Sequence, residues 1–195
     1  MNKNSMIGMV VSLGVITVVA GALLGGADAL THDAVEKAQE ASRVSALTEV
    51  LPEFDNNPVV EMALVRVGED SVAVYPAKMC GRNVGNAVEI TAHDGFSGDI
   101  SLMFGFDSLG VVSGYTVLAH GETPGLGARM GEWFRDSVGN RSVVGCNPQV
   151  QNITVAKDGG EIDGITAATI TSRAFLGALN NARRAVDEFE KDSQR

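Results

Sequence analysis

The sequence is short of cysteine, histidine, aromatic side chains and positive charge, and each shortage excludes something. Two cysteines in 195 residues rule out a disulfide-rich scaffold and a four-cysteine zinc site. Three scattered histidines argue against a His-rich metal centre. Fifteen Lys and Arg stand against 24 Asp and Glu, a net charge of -9 with a pI of about 4.7. No basic block breaks this acidity. Phosphate contacts need clustered cations, so nucleic acid is not an expected partner. Aromatics make up only 5% of the chain while glycine contributes 23 residues, which points to turns and close backbone approaches and away from a coiled coil. A chain that is 45% hydrophobic and 20% charged is not disordered. Its length suits one domain, or one domain plus a membrane segment.

Charge is also missing locally. The 24 residues from Asn4 to Ala27 carry no formal charge. As a helix they would span about 36 Å, enough for a hydrocarbon core of about 30 Å. Ala27-Asp28-Ala29 resembles a signal-peptidase site, but the run exceeds the usual apolar region of a signal peptide, about 7–15 residues. An uncleaved anchor is the expectation. Lys3 precedes the run, and Asp28, Asp33, Glu36 and Glu40 follow it. The positive-inside rule then puts the amino end in the cytoplasm and the remainder in the periplasm or exterior, so the chain is expected in the cytoplasmic membrane with lipid as a partner.

Beyond the anchor, Leu30, Ala34, Ala38, Ala41, Val44, Leu47 and Leu51 recur at helical spacing and Pro52 closes the pattern, predicting a stalk helix. Strands are predicted over residues 59–67, 71–75, 84–91, 99–106 and 111–118, with Gly-rich turns between them, as in an antiparallel meander. A short helix is expected over residues 128–136, a brief strand at Ile153-Thr154-Val155 and a turn at 157–160. A last helix, from about Thr171 to Lys191, would bury Phe175, Leu179, Ala182, Val186 and Phe189 and leave Arg183, Arg184, Asp187, Glu188 and Glu190 wet. The fold class is α+β: a single N-terminal transmembrane helix, then an antiparallel-sheet domain with flanking helices. The expected divisions are 1–27, anchor; 28–52, stalk; and 53–195, domain.

Two segments do not read as scaffold. His120-Gly121-Glu122-Thr123-Pro124-Gly125-Leu126-Gly127 follows a strand and is stiff at Pro124, while its glycines let a ligand approach the backbone. An ordinary tight turn has the same composition. Thr166, Thr169, Thr171 and Ser172 put four hydroxyls just before the last helix. One would serve as a cap, and the group together also suits a phosphate site.

Asp163-Gly164-Ile165-Thr166-Ala167-Ala168-Thr169 matches the flavinylation pattern D-x-x-[ST]-x-A-[ST] of the FMN-binding domain family. Gly95-Phe96-Ser97-Gly98-Asp99-Ile100 and residues 121–127 also resemble that family, in the same order. The resemblance covers roughly residues 1–190. One departure is Ala167, where the family usually has Gly.

The resemblance implies FMN esterified through its phosphate to Thr169, made from FAD by a Mg²⁺-dependent flavin transferase with release of AMP. It implies Thr166 and Thr171 as donors to the phosphate oxygens, and Glu122, Thr123, Leu126 and Gly127 beside the isoalloxazine. Ala167, Ala168 and Ile170 complete the expected cofactor-binding set, and Asp163 is a motif determinant or turn former. Thr169 would be an attachment point; no catalytic acid, base or metal ligand is expected, since the flavin carries the redox chemistry. The family includes flavoprotein subunits of Rnf-type complexes, which couple electron flow between ferredoxin and NAD to ion translocation, and of the sodium-pumping NADH:quinone reductase. The short chain favours the Rnf type, with the other subunits as partners. A stand-alone anchored flavodomain and a non-redox assembly module are the rivals. Cys80 and Cys146 both adjoin glycine. A bond between them would close a loop of about 65 residues, worth roughly 2–4 kcal/mol, and two unpaired thiols are the expectation.

Overall fold

The computed structural model describes residues 3–68 and 70–193. The chain divides into two compact units, one ending at Ser42 and one beginning at Arg43. A single helix, α1 (Lys3–Val50), contributes to both. Within it, Gly8–His32 has a mean hydropathy of 2.2 and none of its apolar window is buried. Val10, Val18 and Leu24 are each more than 70% exposed. In water such a surface would cost about 25 cal/mol per Å² of apolar area, whereas a bilayer covers it. The hydroxyls on this stretch suit that solvent: Thr17 and Thr31 donate to the Leu13 and Ala27 carbonyls at 2.8 and 2.9 Å, so neither donor is left to lipid. The helix is long and apolar enough to cross a membrane, and the apolar stretch runs past Ala27 to His32.

The second unit is built on a five-stranded antiparallel sheet in sequence order: β1 (Ala63–Val67), β2 (Asp70–Met79), β3 (Arg82–Ala92), β4 (Ile100–Asp107) and β5 (Val112–His120). The predicted meander and α+β class hold. Both faces of the sheet are covered, which the burial of β4 makes plain. Its Leu102, Phe104 and Phe106 enter the core shared with α3 (Thr169–Ser193), and Met103 enters the opposite core with Ala46, Leu47, Val50 and Leu51 from the end of α1. Side chains alternate faces along a strand, so two covered faces produce almost unbroken burial. Phe175 of α3 is the hub of the first core, stacked on Phe134 at 4.4 Å and edge-on to Phe104 and Tyr115 at 5.3 and 4.9 Å. In the second core, Arg43 makes a two-pronged pair with Glu89 at 2.7 and 3.1 Å, and Tyr75 donates to the same carboxylate at 2.8 Å.

Several elements differ from expectation. Residues 59–62 are not strand: the Asn57 side chain accepts from the Val59 N–H, and the Val60 and Glu61 N–H groups bond back to the Asn57 carbonyl. Asn57-Pro58 starts a turn that leaves Val60 exposed. β2 runs four residues further than predicted, through Pro76, because the missing Pro donor needs no partner there while its carbonyl accepts from Asn56. Cys80-Gly81 is the two-residue turn to β3, with φ of 50° and 77°, the backbone of a type I′ hairpin. Cys80 and Cys146 are both free thiols. The helix expected over 128–136 shortens to a 3₁₀ turn (Gly127–Arg129) and α2 (Met130–Trp133). No strand forms at 153–155; a single parallel bridge joins Val155 to Ile162, and a 3₁₀ turn covers Ala156–Asp158. Arg183, expected on the wet face of α3, is buried. The β4–β5 turn at Gly110 lies against its guanidinium, which pairs with Asp187 at 2.7 Å.

The end of α1 reaches the sheet only because two facing positions are glycine. Gly105 pairs with Gly114 across β4 and β5, and a Cβ on Gly105 would strike the Val50 carbonyl. That carbonyl accepts from the Ser113 hydroxyl at 2.5 Å. Gly105→Ala should therefore push α1 off the sheet and lower the domain's unfolding free energy by about 1–3 kcal/mol. Chemical denaturation followed by circular dichroism measures this, and an unchanged midpoint would show that the approach is not tight.

Candidate functional site

Three loops meet at the amino end of α3. The first joins β3 to β4 and carries Phe96 and Ser97. The second leaves β5 at His120. Within it the Leu126 and Ala128 N–H groups bond to the Thr123 carbonyl, with Pro124 second and Gly125 third in the turn at φ 78°. Pro followed by a residue of positive φ is the chemistry of a type II turn. The third loop is the stretch from Asp163 to Ala168. Its Ala168 N–H bonds to the Ile165 carbonyl at 3.0 Å, closing a four-residue turn over Thr166 and Ala167.

Glu122 joins the three. It is 5% exposed. Its Oε1 accepts from the Ser97 N–H at 3.0 Å, and its Oε2 accepts from the Thr171 hydroxyl at 2.9 Å. Its own N–H donates to His120 Nδ1 at 3.1 Å. Gly127 makes this possible: a Cβ there would collide with Glu122 Oε2 and with Thr171 Oγ1. The Thr171 hydroxyl, expected to face a phosphate, thus donates its hydrogen bond to Glu122. Ser172 is equally committed, accepting from the Ile165 N–H and donating to the Ala168 carbonyl, both at 2.9 Å. Among the described residues no hydroxyl caps the helix. The N–H groups of Thr169, Ile170 and Thr171 form its first turn, where the helix itself offers no acceptor. The dipole of a 25-residue helix favours an anion at that end.

Thr169 is the first residue of α3, two residues earlier than the predicted start, and is half-buried. It stands between two cavities and lines both. The more apolar one, of about 280 Å³, is lined by Phe96, Glu122, Thr123, Leu126, Gly127 and residues 167–171. The other, of about 330 Å³, is lined by Trp133, Arg141, Lys157, Asp163, Thr166, Ala167, Thr169 and neighbouring backbone. All eleven residues singled out in the sequence therefore fall around Thr169, nine of them in the first cavity, with Thr166 and Asp163 in the second. A planar, largely apolar ring fits the first cavity, which has Phe96 and Leu126 on its walls and lies near the lower end of small-ligand site volumes, about 300–1,000 Å³. Phe96, Trp133, Arg141 and Lys157 also line the cavities and were not among the predicted site residues. Phe96 carried a signal, as an aromatic in a Gly-rich turn of an aromatic-poor chain, and so did Trp133, the only tryptophan. Arg141 and Lys157 carried none, since only folding brings them to Thr169.

Asp163 acts as a clamp. Its N–H donates to the Asn140 carbonyl at 2.7 Å, its Oδ2 accepts from the Asn140 N–H at 3.1 Å, and its carbonyl accepts from Trp133 Nε1 at 2.8 Å. Ala167 sits at φ 63°, a left-handed conformation that glycine takes freely and an L side chain resists by about 1–2 kcal/mol. Two measurements follow. Glu122→Ala should lower the unfolding free energy by about 2–4 kcal/mol, because it strands the Ser97 N–H and the Thr171 hydroxyl. Ala167→Gly should raise it by about 0.5–1 kcal/mol, the relief of strain less the added freedom of the unfolded chain. An Ala167→Gly protein less stable than the parent would remove strain from the account of this turn.

The comparisons with known proteins agree with this geometry. Residues 95–184 match the FMN-binding domain model, a span that opens at the first of the three loops and includes the whole site. Proteins named as the G subunit of an ion-translocating oxidoreductase complex are similar along nearly the full chain. The one from Aliivibrio fischeri is 34% identical over 193 residues, covering 93% of this chain and 88% of its own length. That from Shewanella baltica is 34% identical over 191 residues, covering 92% and 89%, and that from Haemophilus influenzae 36% over 172 residues, covering 84% and 82%. The chain belongs to the family of G subunits of ion-translocating oxidoreductase complexes, and its residues 95–184 form an FMN-binding domain.

Proposed function

We propose that this protein is the membrane-anchored flavoprotein subunit of an Rnf-type ion-translocating oxidoreductase, with FMN held covalently on Thr169. The observation that carries the reading is the position of Thr169. It is the hydroxyl that ends the flavinylation pattern, it opens α3, and it borders both cavities of the FMN-binding domain. When bound, FMN supplies one- and two-electron redox chemistry that no side chain here possesses. The protein's part is to hold it. Phe96 and Leu126 would offer apolar contact, Glu122 keeps the three loops together, and the positive end of the α3 dipole at Thr169 would favour the phosphate charge. A flavin transferase using FAD and Mg²⁺ would install the group. In that transfer the Thr169 oxygen would bond to the FMN phosphorus of FAD as the bond to AMP breaks, with the hydroxyl proton released.

In this reading the Gly8–His32 helix anchors the protein in lipid and the domain lies outside the cytoplasm, the orientation that Lys3 before the span and the acids after it favour. The span carries ionisable side chains only at its carboxyl end, at Asp28 and His32, and none from Gly8 to Ala27, so in this reading ion movement belongs to the other subunits of the complex. Thr169→Ala should abolish the covalent increment, FMN less one water, in the intact mass of chain purified from cells that contain the transferase. It should leave stability within about 1 kcal/mol, because one half-buried hydroxyl is lost. A full increment in the variant would move the bond to another hydroxyl. Protease added to intact spheroplasts should digest the domain, and complete protection would reverse the orientation.

A further inference from the structure

The second cavity beside Thr169 has a composition that a flavin ring does not need. Lys157 and Arg141 line it, in a chain with only 15 cations against 24 acids. Arg141 reaches it from the loop that Asp163 clamps. Its guanidinium lies 4.1 Å from the centre of the Trp133 ring and pairs through Nη1 with Asp136 at 2.7 Å, which leaves most of its five donors uncommitted. Lys157 comes from the 3₁₀ turn Ala156–Asp158. Its neighbour Asp158 is taken by Arg173 through two bonds of 2.7 Å, and Lys157 has no hydrogen-bond or ion-pair partner among the described residues. The acid in the same wall, Asp163, has its Oδ2 engaged by the Asn140 N–H. A cavity with one fixed and one unpartnered cation, and a threonine hydroxyl at its edge, is charged for an oxyanion.

We propose that this cavity is a phosphoryl seat, in which Lys157 and Arg141 supply the counter-charge for the phosphodiester on Thr169, Thr166 lies alongside, and Asp163 is the positioning residue that holds the Arg141 loop in place. The proposal rests on attachment at Thr169 and adds the groups that receive the charge. It separates the labour of the two cavities: the ring belongs to the Phe96–Leu126 side and the phosphate to the Lys157–Arg141 side.

The test uses the full chain in detergent, made with and without the transferase, and inorganic phosphate as probe. Without flavin, labelled phosphate should bind in equilibrium dialysis and change the fluorescence of Trp133, the single tryptophan. Lys157→Gln should weaken binding about ten-fold, the loss of one charged partner, and Lys157→Arg should restore it. With flavin attached, phosphate should no longer bind, and the ³¹P resonance of the diester should move in Lys157→Gln but not in the distant control Lys191→Gln. Equal phosphate binding by parent and Lys157→Gln overturns the seat. Phosphate binding that survives flavin attachment overturns its assignment to the Thr169 diester and gives the cavity to a free phosphorylated ligand. If the mass shows no flavin on Thr169, the attachment reading fails by itself, and the dialysis of the flavin-free chain still decides whether the seat exists.

Discussion

A buried carboxylate with no cation beside it is an expensive thing to fold around, and this domain is arranged so that Glu122 is never unsatisfied. Its two oxygens accept from a backbone N–H of the β3–β4 loop and from a hydroxyl on α3, segments that lie 25 and 49 residues away in sequence. Once those bonds are required, other choices follow. Position 127 must be glycine, because any side chain would occupy the space between Glu122 and Thr171. Position 171 must bring a donor. The three loops then have one relative placement, and the amino end of α3 is delivered to the edge of both cavities. Burying a charge without such partners would cost several kcal/mol.

The rest of the domain fixes α3 from behind. Phe175, in the second turn of the helix that Thr169 opens, is held by three aromatic rings from β4, β5 and the segment after α2. Tyr115, one of the three, donates to the Met130 carbonyl at 2.7 Å, so the same residue ties the sheet to the helix that carries Trp133. Burial pushes its hydroxyl pKa well up, which keeps the donor protonated at every physiological pH. The site is therefore mounted on packed aromatic contacts, while its lining is loop. That division suits a cofactor domain, where reorganisation on electron transfer must be small and the ring must still be reached by a partner.

What could be read from the sequence was what depends on local pattern. The uncharged run, the helical stripe of Phe175, Leu179 and Val186, and the Gly-punctuated strands all have periods that do not require knowledge of the fold. The motif residues from Asp163 to Thr169 are legible through their resemblance to the FMN-binding domain family, which also requires no knowledge of the fold. Features set by distant neighbours were not. Val60 looks like strand but has nothing to pack on, so the Asn57 side chain bends the chain into a turn. Pro76 looks like an interruption but sits where its carbonyl alone is needed. Arg183 has the spacing of a surface residue and is covered by a hairpin turn more than 70 positions upstream. Lys157 and Arg141 share a cavity with Thr169 only because Asp163 and the Val155–Ile162 bridge draw their loops together. Ala167 lies between the two classes. The motif located it, but only the backbone angle shows that this chain accepts a strained residue where glycine would be relaxed.

The shape of the site gives a physical reason for the covalent link proposed at Thr169. Both cavities are small and open on one side, and the buried polar side chains of the apolar one are engaged with each other: Glu122 with Ser97 and Thr171, Thr171 with Glu122. A flavin resting there would gain apolar contact on part of its surface and few directed bonds, and small-ligand affinity depends on enclosing most of the ligand. Free association must also offset the loss of translational and rotational freedom, a cost of several kcal/mol. Tethering to Thr169 changes the problem. Departure of the ring becomes an intramolecular opening, with an effective concentration that a short link sets in the millimolar range or above, so weak contacts are enough to keep it seated. An open cavity can then leave a ring edge accessible to a partner protein without risking loss of the cofactor. A deep pocket that retained flavin by itself would have to bury that same edge. On the proposed attachment, the open geometry and the hydroxyl at its rim would be two parts of one solution, in which a covalent bond would hold the cofactor and leave the protein surface free to serve electron exchange.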